Sequence, residues 1–155
     1  AFAAILSNET VVTCGFQSIE LSFAAPHHLQ SVLQIQATDA AFAAILSGGL
    51  VVTWGAEHGG GDSSAVQHLL QNVQQIQATA RAFAAMLADG SVVTWGDPDW
   101  GGDSSQVQDQ LRNVKHLQVA GTVFAAILAD GSVVTWGNSE RGGDSSAVQD
   151  KFGYI

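Results

Sequence analysis

Between residues 82 and 96 the chain reads AFAAMLADGSVVTWG: an apolar run, a polar break at Asp89-Gly90-Ser91, and a second apolar run closing on Trp-Gly. Phe83, Ala85 and Leu87 alternate with Ala84 and Met86, so both faces of the first run are apolar, as in a strand covered on both sides. An Asp-Gly pair between apolar runs marks a hairpin, expected here as a type I′ turn with positive φ at both positions. The pattern recurs as AFAAILSNETVVTCG at 1–15, AFAAILSGGLVVTWG at 41–55 and VFAAILADGSVVTWG at 123–137. Phe2, Phe42, Phe83 and Phe124 lie 40, 41 and 41 residues apart, and Cys14, Trp54, Trp95 and Trp136 keep the same steps. A fixed period in this range signals a solenoid, propeller or array, whose units are too small to fold alone and lean on their neighbours. A helical alternative competes locally: Thr38–Leu46 has an N-cap candidate and strong helix formers, with Gly48 as a possible C-cap. The segment is short for an unsupported helix, and Trp95 just after a turn favours paired strands.

The rest of each unit is less apolar. A variable tetrapeptide follows the hairpin: Ala56-Glu57-His58-Gly59, Asp97-Pro98-Asp99-Trp100 or Asn138-Ser139-Glu140-Arg141. Then comes Gly-Gly-Asp-Ser-Ser, where Ser105 and Gln108 have capping-box spacing for a helical turn. Val114–Val119 and its counterpart Val73–Ala78 predict a third strand, and the glutamines at its polar positions suit an outer strand. Each unit is thus expected to be a three-stranded antiparallel sheet with one long loop. The whole of 1–155 reads as a single all-β repeat domain with units at about 1–40, 41–81, 82–122 and 123–155, the first degenerate and the last truncated. In the first copy Asn8-Glu9 stands at the turn, Cys14 replaces the tryptophan, and Ile19–Phe23 replaces Gly-Gly-Asp-Ser-Ser. A buried Trp removes roughly 150–250 Å² from water, worth roughly 4–6 kcal/mol as an upper figure. The first copy is therefore expected to be the least stable.

Composition narrows the chemistry. Hydrophobic residues make up 46% and charged ones only 12%, ample for a core and far from a disordered composition. Five Lys+Arg against 14 Asp+Glu give a net charge of −9 with no basic stripe, which argues against a nucleic-acid partner. No 18-residue apolar run suggests a membrane span. The lone Cys14 forms no internal disulfide and reads as a buried thiol; a reducing compartment inside the cell is favoured. With no initiator Met, and with both ends falling mid-pattern, the chain is expected to be a piece of something longer. Asn8-Glu9-Thr10 matches a glycosylation acceptor by chance, and His27-His28 lacks a third metal ligand at a recognisable spacing. Asp62, Asp103 and Asp144 invite a calcium hypothesis, but one carboxylate per repeat suits turn duty better than a cage of six to eight oxygens. No nucleophile elbow, phosphate loop or paired metal ligands occur, so no catalytic, cofactor or metal site is expected.

The segment Ala88–Gly96, ADGSVVTWG, resembles the repeat of the regulator of chromosome condensation family: an apolar strand, Asp-Gly, then a strand closing on Trp-Gly. The likeness covers nearly the whole chain and recurs four times in register. The 41-residue unit is similar in size to the compact three-stranded blades of the bacterial beta-lactamase inhibitor protein II. The family's His before the first strand is Ala82 here, and its Gln-Leu-Gly is replaced by Gly102-Asp103-Ser104. The resemblance implies a partial β-propeller: an arc of about four three-stranded antiparallel blades, whose open edges are covered by further blades of a parent chain or by a second copy. It also implies a non-catalytic scaffold that binds a protein partner through loops at one face. Within this chain the scaffold positions scarcely change whereas the tetrapeptides vary freely, and recognition usually resides on such loops. Glu57, His58, Asp97, Asp99, Trp100, Glu140 and Arg141 are the candidate binding residues. Trp100 stands out as an interface anchor, unless it folds back on its own blade. Two other roles come with the resemblance: guanine-nucleotide exchange on a small GTPase, or substrate recruitment within a HECT-type ubiquitin ligase.

Overall fold

A computed structural model describes residues 1–7, 10–14, 26 and 29–146. The Asn8-Glu9 turn, the Ile19–Phe23 replacement, the His27-His28 pair and the side chain of Cys14 lie outside the described residues. The strands are β1 (Phe2–Ile5), β2 (Val11–Cys14), β3 (Val32–Ala37), β4 (Ala41–Leu46), β5 (Val51–Gly55), β6 (Val73–Ala78), β7 (Ala82–Leu87), β8 (Val92–Gly96), β9 (Val114–Ala120), β10 (Val123–Leu128) and β11 (Val133–Gly137). They form four antiparallel sheets: β1-β2, β3-β4-β5, β6-β7-β8 and β9-β10-β11. The Phe-Ala-Ala runs are strands, and the helical alternative for 38–46 is excluded. In three of the four hairpins Phe faces Trp across the ladder, Phe42↔Trp54, Phe83↔Trp95 and Phe124↔Trp136, and in the first Phe2 faces Cys14. The paired rings stack with centroids 5.2–5.4 Å apart.

The Asp-Gly hairpin turns differ from the expected type I′, whereas Gly48 and Gly49 both have the positive φ expected of them. Leu87 N donates to Ser91 O and Gly90 N to Leu87 O, so the loop holds three residues, and Gly90 has a positive φ while Asp89 does not. This is a turn followed by a left-handed residue, the common three-residue hairpin. Asp89 has a different job: its carboxylate accepts from the backbone N–H and hydroxyl of Ser91, as Asp130 does from Ser132.

The third strand joins a different sheet from the one the sequence suggests. β6 and β9 pair with the hairpins that follow them, not with those before. The physical reason is chain length. Thr79-Ala80-Arg81 and Gly121-Thr122 are connections of three and two residues to β7 and β10, whereas the long Gly-Gly-Asp-Ser-Ser loop separates β6 and β9 from the preceding hairpins. Nor are these strands outermost. β3, β6 and β9 pack against one another from sheet to sheet, so the sheets converge on their glutamine-rich edges. Gln34 Nε2 donates to Ile76 O at 3.1 Å, and Gln75 both donates to Leu117 O and accepts from Leu117 N. The polar positions of the inner strand thus stitch one sheet to the next.

Between sheets the core is continuous. Ala41, Ala43 and Ile45 of β4 pack with Phe83, Ala85 and Trp95 of the next sheet. Ala82 and Ala84 of β7 pack likewise with Phe124, Ala126 and Trp136. Each strand therefore spends its odd and even residues on two different neighbours, which is why both faces are apolar. The Ala-Ala pairs permit the close approach. The outer strands β5 and β8 are clasped by the loop after them. Thr53 Oγ1 shares a hydrogen bond with Ser63 Oγ, Ser63 Oγ donates to Gln67 Oε1, and Gln67 Nε2 donates to Val51 O at 2.9 Å. Thr94, Ser104, Gln108 and Val92 O repeat the chain. Gln108 therefore pairs with Ser104 rather than with Ser105 of the expected capping box, and the pair covers a sheet edge, an element proteins rarely leave bare.

Candidate interaction face

The three variable tetrapeptides fold alike. Each contains a single 3₁₀ turn, at Glu57–Gly59, Pro98–Trp100 and Ser139–Arg141. The residue before each turn is extended, at φ −71, −67 and −65°, and a left-handed glycine follows each, at φ 90, 94 and 101°. The first two of these glycines also join blade to blade. A Cβ on Gly60 would lie 2.7 Å from Phe83 Cδ2, and one on Gly101 2.6 Å from Phe124 Cδ2. Their carbonyls accept the indole N–H of Trp95 and Trp136 at 3.0 and 3.1 Å. The Trp54 indole N–H finds no partner among the described residues.

A threonine ties each of the first two turns to the inner hairpin of its own sheet. Thr38 Oγ1 accepts from Ala41 N and donates to Gly59 O at 2.9 Å; Thr79 Oγ1 accepts from Ala82 N and donates to Trp100 O at 2.9 Å. The variable turns therefore sit at the same end of the sheets as the inner connections Asp39-Ala40, Ala80-Arg81 and Gly121-Thr122, and Asp39 N donates across to Ala80 O. Together they make one face.

The candidate residues are not equivalent on it. Glu57, His58, Asp99, Glu140 and Arg141 are exposed. Asp97 is half-buried: its carboxylate accepts from Asp99 N and lies 3.8 Å from the Arg81 guanidinium. Trp100 is also half-buried, packed against the Phe124–Trp136 core, with the Arg81 guanidinium 5.4 Å from its ring centroid. It is folded back onto the scaffold rather than standing free. Arg81 and Asp39 were missed as members of this face. Their signal was present, because the inner pairs Asp39-Ala40, Ala80-Arg81 and Gly121-Thr122 vary between copies as freely as the tetrapeptides do.

Asp62, Asp103 and Asp144 each accept a hydrogen bond from the backbone N–H two residues on, at 2.8–2.9 Å. These bonds hold the turn and draw the carboxyls below the ordinary carboxylate range. The serine backbone N–H is the larger cause at Asp62 and Asp103, the serine hydroxyl at Asp144. Among the described residues no three His, Cys, Asp or Glu side chains gather as a metal site would require.

No protein-family model matches the chain, and no curated protein matches it. Solved structures do. Human WBSCR16 superposes with a TM-score of 0.53 at 18% identity, over 68% of this chain and 33% of that one. Prp20p from Saccharomyces cerevisiae, described with its binding properties to Gsp1p and histones, superposes with a TM-score of 0.52 at 20% identity, over 68% of this chain and 30% of that one. The same yeast protein, named RCC1 (Prp20), is matched equally well in its structure bound to Kap60. The fold is that of an RCC1-type propeller. The chain spans about a third of the length of these relatives, and its sheets are the propeller's blades.

Proposed function

We propose that this chain is a protein-binding propeller module whose partner is recognised by the face carrying the three variable 3₁₀ turns. One observation carries the reading. A single backbone, repeated with the same entry conformation and the same left-handed exit glycine, displays Glu-His-Gly in one blade, Pro-Asp-Trp in the next and Ser-Glu-Arg in the third. A rigid frame presenting different side chains in adjoining copies is how recognition loops are held. Glu57, His58, Asp99, Glu140 and Arg141 make the exposed contacts, while Asp97, Arg81 and Trp100 hold the middle turn in shape. Anchors of interfaces are commonly aromatic or arginine, which gives Arg141 and the edge of Trp100 the largest expected effects.

The test compares wild type with a variant carrying Glu57→Ser, His58→Ser, Asp99→Ser, Glu140→Ser and Arg141→Ser. Proteins retained by wild type and lost by the variant, with thermal stability unchanged, support the face. An identical set retained by both overturns it. A second role, guanine-nucleotide exchange on a small GTPase, is motivated by the fold shared with the Gsp1p-binding Prp20p. Stimulated nucleotide release from a panel of small GTPases would establish it in place of pure scaffolding.

A further inference from the structure

The two ends of the arc carry opposite halves of the interface that is repeated inside it. At the two junctions flanking β7, the face of one blade that carries Ala41, Ala43 and Ile45, or Ala82 and Ala84, meets the face of the next that carries Phe83 and Ala85, or Phe124 and Ala126, with the phenylalanine under a left-handed glycine. At one end of the arc, Phe2 occupies the place of Phe42, Phe83 and Phe124. Those three are fully buried, whereas Phe2 is 65% exposed. Val12 and Leu6 beside it are also exposed, at 47% and 44%.

At the other end, Gly142 occupies the place of Gly60 and Gly101. A Cβ there would meet nothing within 4 Å, where the other two would strike a phenylalanine ring. Gly131 shows the same contrast with Gly49 and Gly90, which press on Asn72 and Asn113 of the following blade. Ala125 and Ile127 stand where Ala43 and Ile45 are fully buried, yet they are only half-buried. One end thus offers the ring without its glycine, and the other offers the glycine without its ring.

We propose that the chain associates head to tail with a second copy of itself, the Phe2 end of one seating on the Gly142 end of the other. The occupant follows from continuity with the internal junctions, which already pack AFAAIL of β4 on AFAAML of β7 and AFAAML of β7 on VFAAIL of β10. A heterologous contact of this kind closes into a ring if the rotation allows and otherwise runs on as a filament.

The test uses the 155-residue chain and two surface variants, Phe2→Asp on one end and Ile127→Glu on the other, each checked for an unchanged β-sheet spectrum. In sedimentation velocity at about 100 µM, where micromolar complexes are populated, wild type should sediment at no less than twice its 16.1 kDa mass. Each variant alone should be monomeric, its association weakened at least tenfold. Mixed together, the two variants should form a one-to-one pair, because each retains the end the other has lost. A monomeric wild type overturns the proposal and leaves the ends to further blades of a longer chain. Association that survives either substitution overturns it as well, as does a mixture that stays monomeric.

Discussion

Trp95 donates its indole N–H to the carbonyl of Gly60, a residue of the preceding blade, at 3.0 Å. The same glycine lies against the ring of Phe83, which stacks on Trp95. One residue therefore both caps an aromatic pair and satisfies its only polar group. Trp136 and Gly101 repeat the relationship one blade on.

This geometry predicts that Gly101→Ala is far costlier than an ordinary surface change. Its Cβ would enter the Phe124 ring in a backbone already at φ +94°. Overpacking and left-handed strain together should cost about 2–4 kcal/mol. Gly121→Ala is the matched control, with φ +59° and open space, and should cost about 1 kcal/mol. Urea midpoints of the two variants check the difference, and equal losses would contradict the packing argument.

Gln108 is the next test. Its amide joins Ser104 to the outer-strand carbonyl of Val92. Gln108→Ala should lower stability by about 1 kcal/mol through lost hydrogen bonds. It should also raise light scattering on heating, because the edge of β8 is uncovered. Gln71→Ala, which removes an exposed local bond to His68 O, should do neither.

Acid should destabilise the chain in a defined direction. Asp62, Asp89, Asp103, Asp130 and Asp144 all have carboxyls held below their ordinary range by bonds from Ser64, Ser91, Ser105, Ser132 and Ser146. The unfolded chain therefore takes up protons first as pH falls. The stability these groups contribute is fully present above the ordinary Asp range and is lost as pH drops through their folded values. Unfolding free energy measured between about pH 5 and pH 2 should decline steadily. Changing Asp89 and Asp130 together to Asn should flatten the slope.

The hairpins were readable from the sequence because their two-sided apolar pattern reports the packing directly: Phe83 and Ala85 serve one neighbour, Ala84 and Met86 the other. The placement of β9 was not, because the 41-residue period says what repeats and not where a sheet begins. Only the two-residue Gly121-Thr122 link tells which hairpin it joins. Gln34 and Gln75 mislead for a different reason. Their amides are spent on the backbone of the next blade, and in a sequence a satisfied interior amide looks like a wet one. On the candidate face, the varying turns stood out clearly. That Trp100 lies beneath Arg81 depends on two side chains 19 positions apart meeting at one end of the blade, which no local pattern encodes.

Among the described residues, the side-chain bonds that cross between blades reach the immediate neighbour: Gln34 to Ile76, Gln75 to Leu117, Trp95 to Gly60, Trp136 to Gly101. A gene encoding such a chain can lengthen by copying one 41-residue unit in frame, since the newcomer arrives with both of its joints already matched. Growth by duplication thus needs no accompanying repair elsewhere, and the identity of VVTWG in three successive units is what such a history would leave behind.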